Sequence, residues 1–248
     1  MGFRKKLNYS QKVCLGRCGK LMQLSGMIHP GARIGIAVSG GVDSWVLVKT
    51  MILRQKIVPF SFELILLHVN PGFDPANHQP LVDWLTENPL PAHIQLTDIG
   101  PRSHLPQHTK SPCFLCSWNR RKILFDLCRK YSLSHLALGH NADDLAATFF
   151  MNMIQTARVD GLAARESFFD GRLSLIRPLL LVEKRFIRNA AGKWNLPVWK
   201  NPCPSAESGK RKEMEEMLDH LSHKNRKARQ NILNALKRWQ LDLACNLT

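Results

Sequence analysis

An α/β fold built on a parallel sheet follows from three features of the 248-residue chain. Short apolar runs alternate with segments of helical period from residue 33 to residue 155. The run SFELILLHVN at 61–70 is apolar almost throughout, as a strand covered on both faces must be. Breaks containing Gly or Pro stand between the elements, among them Ser39-Gly40-Gly41, Pro71-Gly72 and Gly139. Parallel strands joined by right-handed crossovers gather ligands at their carboxyl ends.

Taken in order, residues 8–28 predict an amphipathic helix with Val13, Leu21, Leu24 and Ile28 at helix spacing, stopped by His29-Pro30-Gly31. A strand at 33–38 leads into a helix after Ser44, and the strand at 61–70 ends at Pro71-Gly72. A helix around 77–88 and a strand HIQLTDI at 93–99 form a second repeat, followed by an irregular loop marked by Pro101, Pro106 and Pro112. WNRRKILFDLCRKY, from Trp118 to Tyr131, is a basic helix with an apolar stripe, and it precedes a short strand HLALG at 135–139 and a helix at 142–155. Beyond 195 the composition shifts to two basic, charge-dense helices. The expected organisation is an N-terminal helical segment at 1–30, an α/β domain at 31–200 and a basic helical extension at 201–248.

Lys and Arg number 35 against 19 acidic residues, a formal charge of +16, which calls for a polyanionic partner, nucleic acid foremost. Lys210, Arg211, Lys212, Lys224, Arg226, Lys227 and Arg229 are the expected phosphate-backbone surface. The longest apolar runs fall far short of a bilayer span, so the reading is a cytoplasmic protein without membrane association.

The segment RIGIAVSGGVDS at 33–44 carries the most chemistry. Gly40 and Gly41 let the backbone turn its N–H groups onto an anion, and the helix that follows adds its positive end. Ser39 and Ser44 can donate hydroxyl hydrogen bonds to phosphoryl oxygens, with Val42 between them in the loop. Asp43 would repel phosphates unless a divalent cation stood between, so the loop reads as a Mg²⁺-nucleotide site. His68, after the second strand, and Gly139, Asp143 and Asp144, after the fourth, join it at the strand ends. Asp143 and Asp144 could hold Mg²⁺ or orient a ribose; they could equally be first-turn residues favoured by the helix dipole, with Asn141 as N-cap.

Seven cysteines in such a chain argue for metal or thiol chemistry rather than disulfides. Cys113-Phe-Leu-Cys116 is the one C-x-x-C, placed in the Pro-rich loop before a helix, and Cys203 between Pro202 and Pro204 is the best third partner. Three thiolates fit a [4Fe–4S] cluster with one iron lacking a protein ligand. A zinc site completed by His104, His108 or His140, and a redox dithiol at Cys113 and Cys116, fit the same residues. Cys14, Cys18 and Cys128 read as packed core, and Cys245 falls in the tail.

The loop SGGVDS resembles the S-G-G-x-D-S signature of the PP-loop pyrophosphatases, which cleave ATP between the α and β phosphates. With PCFLCSWNRRKILF, LALGHNADD and NPCP in order, the chain resembles the tRNA 2-thiocytidine synthetase family of PP-loop sulfurtransferases. The resemblance implies a Rossmann-type sandwich of the adenine nucleotide alpha hydrolase kind. It implies ATP binding by Ser39, Gly40, Gly41, Asp43 and Ser44, assistance from Asp143 or Asp144, and a [4Fe–4S] cluster on Cys113, Cys116 and Cys203. The implied reaction adenylates the C2 carbonyl oxygen of cytidine 32 in tRNA, and sulfur then displaces AMP. A sulfur donor such as a cysteine desulfurase and a homodimer come with the resemblance. Val42 replaces the family's usual Lys, Asn141 its common His, and Cys203-Pro-Ser-Ala206 its frequent second C-x-x-C. A PP-loop tRNA ligase without sulfur chemistry, as in the lysidine synthetases, is the alternative enzyme. A nucleic-acid-binding iron–sulfur or zinc protein with a vestigial nucleotide pocket is the alternative outside enzymes.

Overall fold

The structure, a computed structural model, describes residues 7–205, 210–225 and 227–239. Helix α1 (Tyr9–Leu24) starts at a reciprocal cap, in which the Asn8 side chain accepts from Gln11 N and the Gln11 side chain accepts from Asn8 N, each at 2.9 Å. It packs on α2 (Val42–Gln55) and α7 (Lys184–Lys193), with Cys14, Cys18 and Leu21 fully buried between them. Burial pushes the thiols of Cys14 and Cys18 up to about 12. They are packing atoms, as expected, and so is buried Cys128.

Six strands form one sheet: β1 (Arg33–Ala37), β2 (Glu63–Asn70), β3 (Ala92–Leu96), β4 (His135–Ala137), β5 (Arg165–Phe168) and β6 (Leu173–Ile176), in the order β3-β2-β1-β4-β6-β5. Gly35 sits opposite Ile65 on one side and Leu136 on the other, both in parallel pairings. Successive residues of β2 serve opposite faces: Leu64 and Leu66 join α1, α2 and α7 in one core, while Ile65, Leu67 and Val69 meet α5 (Pro112–Lys130) in the other. The result is the α/β sandwich that the alternation of elements predicts. The chain leaves β1 toward β2 and returns to its other flank as β4, so the crevice of the fold opens beyond the carboxyl ends of β1 and β4.

Two expectations need correction. The sheet is not wholly parallel, because β5 and β6 pair antiparallel. Only residues 169–172 link them, too few for a crossover, and Phe169, Asp170 and Gly171 all take positive φ to close the turn. Helix α5 begins at Pro112 rather than Trp118, because Ser111 caps it by accepting from Phe114 N at 3.3 Å and Pro112 suits the first turn. Cys113 and Cys116 therefore lie on the helix and not in the loop before it.

Shorter additions complete the chain: α3 (Gln79–Glu87), a single turn α4 (Ile99–Ser103), α6 (Ala142–Thr156), α8 (Lys210–Lys224) and α9 (Ala228–Trp239). Helices α8 and α9 pack on α6 and bury Met214, Leu218, Leu233 and Leu236. Among the described residues no helix is long and apolar enough to cross a membrane.

Candidate nucleotide and cysteine sites at the carboxyl edge of the sheet

The phosphate loop is held in shape by its own serines. Ser44 Oγ donates to Gly41 O at 2.8 Å and accepts from Ser39 N at 3.2 Å, and the two hydroxyl oxygens lie 3.3 Å apart. Gly40 has φ 87°, and a Cβ there would also collide with the ring of Trp199. Gly41 occupies the N-cap of α2, where no side chain caps the first turn. Backbone N–H groups at that turn are thus oriented for an anion. Gly139 closes the far side: a Cβ on it would stand 3.0 Å from Ser44 N, so a larger residue would press the end of β4 away from the loop by a few tenths of an ångström.

Asn141 joins the two halves of the crevice. Its Nδ2 donates to Asp43 Oδ1 at 2.9 Å, and its Oδ1 accepts from Asp143 N and Asp144 N. Asp144 returns the cap by accepting from Asn141 N at 2.9 Å. Asp143 accepts from Lys184 N at 2.7 Å and is ion-paired with Arg229, which also holds Asp219. The carboxylate nearest the loop's business end is accordingly Asp43 itself. Asp143 and Asp144 are buried; the Asp144 carboxylate and the Asp143 backbone N–H both bond Asn141, which in turn bonds Asp43.

His68 is 2% exposed and donates from Nδ1 to Val38 O at 2.8 Å, just before the loop. Its Nε2 is buried without a hydrogen-bond partner among the described residues. Burial, the largest cause, lowers its pKa, so the ring is neutral with its Nε2 lone pair unused. An orphaned acceptor beside a glycine phosphate turn fits a site completed by a bound nucleotide.

The cysteines converge from two segments. Cys116 is half-buried on α5, and its thiol is pushed up by burial first, with Cys203 and Cys113 raising it further and Arg120 opposing. Cys116 is therefore near enough to both Cys113 and Cys203 to feel their charge. Cys113 is exposed, and its thiol points to Ser205 O at 4.0 Å. Among the described residues no three His, Cys, Asp or Glu side chains form a group that could hold a metal ion. The histidines offered by the sequence already have hydrogen-bond partners, that of His104 lying at the cysteine end itself. His104 donates to Gly100 O and accepts from Ser205 Oγ, each at 2.9 Å; His108 Nε2 donates to Arg102 O; His140 Nδ1 accepts from Arg177 Nε at 3.2 Å. A four-iron cluster gives each thiolate its own iron and so suits three sulfurs spaced more widely than the ligands of one ion.

Trp199 ties the two sites together, and nothing in its local sequence announces it. Its backbone N donates to Gly40 O at 3.0 Å, its indole N–H donates to Asn77 Oδ1 at 3.0 Å, and Asn77 Nδ2 donates to Lys200 O at 3.1 Å. The ring packs edge-on to fully buried Trp45. Residues 197–205 thus run as a strap from the phosphate loop to the cysteines. Arg177 was equally silent in sequence: 4% exposed, it pairs with Glu166 at 2.6 Å and holds His140 at the end of β4.

With that geometry in hand, the PP-loop domain family matches residues 17–212. The chain belongs to the PP-loop family. It is 34% identical over 217 residues to a Bordetella pertussis protein named tRNA-cytidine(32) 2-sulfurtransferase, covering 86% of this chain and 67% of that one. A Geobacter sulfurreducens protein of the same name is 29% identical over 245 residues, covering 95% of both. The resemblance read from the motifs is borne out. Among solved structures, the U34-tRNA thiolase NcsA from Methanococcus maripaludis, described with its [4Fe-4S] cluster, superposes with a TM-score of 0.74 at 23% identity, covering 92% of this chain and 79% of that one. That likeness is one of fold.

The basic tail departs from expectation in one respect. Arg229 is drawn inward onto Asp143 and Asp219, so it is not a free phosphate contact. Lys224 and Lys227 are exposed, whereas the side chains of Lys210 and Arg211, and Arg226, Ala206 and Cys245, lie outside the described residues.

Proposed function

We propose that this protein is an ATP-dependent tRNA 2-sulfurtransferase acting on a cytidine, cytidine 32 by the names of its relatives. The carrying observation is that the strap at 197–205 joins a phosphate turn built for a nucleotide to three cysteines at the same edge of one sheet. A carbonyl oxygen is a poor leaving group until it carries a phosphoryl group. In the activating step, the cytosine C2 oxygen attacks the α-phosphorus of ATP and pyrophosphate departs. Gly40, Gly41, Val42 and Ser44 hold the phosphates through backbone N–H groups and Ser39 through its hydroxyl, while the Ser44 hydroxyl, committed to Gly41 O, keeps the loop in shape. Asp43, oriented by Asn141, is the carboxylate that would hold Mg²⁺. Asp144 fixes Asn141 by accepting from its backbone N, which makes it a support of that carboxylate, whereas Asp143 gives Asn141 only its backbone N–H and turns its carboxylate to Lys184 N and Arg229. His68 offers its neutral Nε2 as an acceptor to a nucleotide N–H or hydroxyl.

In the second step sulfur takes the place of oxygen at C2, and AMP leaves with that oxygen. Cys113, Cys116 and Cys203 would hold a [4Fe–4S] cluster, which supplies bound sulfur for transfer without release of free sulfide. Arg120, whose positive charge acts on both His68 and Cys116, favours anions between the two sites. A sulfur donor such as a cysteine desulfurase, a homodimer, a cytoplasmic location and the division into segments 1–30, 31–200 and 201–248 complete the proposal, on the strength of the family pattern. The test is anaerobic purification with iron and acid-labile sulfide analysis, then incubation with tRNA, ATP and a sulfide source. About four irons and four sulfides, with a thiolated cytidine in the digested tRNA, is the expected result. Zinc, or AMP release without thiolated nucleoside, overturns the sulfur-transfer reading.

A further inference from the structure

Helix α5 is only half used by the core. It spans 19 residues, yet its buried side chains are Leu124, Leu127 and Cys128, all in its C-terminal part. The N-terminal part, residues 112–123, has no buried side chain. It runs on past the carboxyl edge of the sheet, beside the cysteines. On it Phe114 and Trp118 are 49% and 55% exposed. Their i,i+4 spacing stacks them on one face of the helix, next to the stripe that carries Cys113, Cys116 and Arg120.

An exposed aromatic pair leaves apolar surface in water and invites aggregation, and here each ring lies beside a cation. Lys110 Nζ is 5.1 Å from the Phe114 ring centroid, and Lys122 Nζ is 5.9 Å from that of Trp118. From residue 99 to residue 125 there are five Lys or Arg and no Asp or Glu. The segment that carries the rings is therefore aromatic and basic, and the carboxylates that flank it, Asp98 and Asp126, are paired with Arg102 and Arg129. A protein surface of ordinary mixed charge does not complement it, whereas a strand of unstacked bases on a phosphate backbone does.

We infer that Phe114 and Trp118 form a stacking platform for bases of a single-stranded RNA loop, with Lys110, Arg121 and Lys122 taking its phosphates. This rests on the tRNA reading above and deepens it: the platform would hold nucleotides flanking the one that enters the crevice, so the substrate must offer its target in a loop and not within a helix. Phe114 and Trp118 are positioning residues and touch no reacting atom.

The test is equilibrium binding of the full chain to an eight-nucleotide oligouridylate and to an RNA duplex of equal phosphate count, without ATP or a sulfide source. Stacking is worth about tenfold to a hundredfold in affinity per base. Phe114→Ala/Trp118→Ala should weaken oligouridylate binding by about 10²-fold or more, leave duplex binding within about twofold, and leave the slope of log affinity against log salt unchanged. Phe114→Tyr/Trp118→Phe should restore most of the loss. Equal affinity of the parent and double-alanine variant for oligouridylate overturns the platform. So does a parent dimer that the double-alanine variant dissociates, since the rings would then face a second copy. Because binding is read without turnover, a chain that thiolates nothing yet shows this ring dependence would sink the enzymatic reading alone. A chain that thiolates tRNA with unchanged KM in the double variant would sink the platform alone.

Discussion

The phosphate loop and the cysteine end of α5 lie at one edge of one sheet but are built in opposite ways. In the loop, local hydrogen bonds among Ser39, Gly41 and Ser44 set the backbone, Trp199 and Asn141 add single bonds to Gly40 and Asp43, and Trp45 directly behind is fully buried. At the cysteines, Cys113 is exposed, no residue of 112–123 is buried, and the third thiol arrives on a separate strap. A site that must bind the same small anion each cycle is pre-formed by backbone geometry. On the function proposed above, the cysteine end must admit a large polyanion and receive sulfur, and it is left open and held by a strap from elsewhere in the chain.

That contrast can be broken by experiment. The largest effect should come from salt: if the open, basic side receives tRNA through six to ten phosphates, affinity falls by about 10³ to 10⁵ between 50 and 200 mM salt. A flat response, measured by filter binding, would leave the charge asymmetry without a role.

Next is Asp43→Ala, which removes the carboxylate that Asn141 aims into the loop. AMP formation should fall by roughly 10²- to 10³-fold, the scale set by losing a key electrostatic group, with tRNA affinity nearly intact. Cys203→Ala should do the converse, with ATP binding preserved and thiolated nucleoside lost. Identical defects in the two variants would mean the sites are not separable.

Trp199→Phe sharpens the comparison, since it removes the indole donor to Asn77 while keeping a ring against Gly40. The expected outcome is about a tenfold fall in thiolated product per AMP released, equivalent to ~1.4 kcal/mol. An unchanged ratio would show that the strap does not couple the sites.

The smallest effect is a shift in reactivity. Burial and neighbouring thiols raise Cys116 above the ordinary 9.0, so its thiolate is scarce until the pH exceeds that value. In metal-free protein, alkylation of Cys116 followed by mass spectrometry should rise through a midpoint above 9.0. A midpoint below it would place Arg120, and not burial, in control.

Legibility in the sequence follows the same division. Ser39 to Ser44 could be read because loop, glycine turn and helix start are adjacent in the chain, and β2 because seven consecutive buried residues leave an unmistakable apolar run. The β5–β6 hairpin went unread although Asp170-Gly171 between two short runs is a turn signal, since Phe168-Phe169 obscures the alternation. The start of α5 lies six residues before the Trp118 that the apolar stripe suggests, because Ser111-Pro112 marks a helix start as readily as it marks a loop. Arg229 read as a surface cation because a basic run looks alike whether solvated or, as here, folded back onto Asp143.

The sequence by itself determined the chemistry of the parts: an anion turn with one carboxylate, a Cys-x-x-Cys pair, a proline-flanked third cysteine and an excess of positive charge. These depend on residue type and short spacing, which the chain carries wherever it folds. Tertiary structure alone decided their relations. Asn141 reaches Asp43 across 98 positions and Trp199 reaches Asn77 across 122. Such pairs are set by which strands lie side by side and how the helices close over them, and local preference carries no record of that.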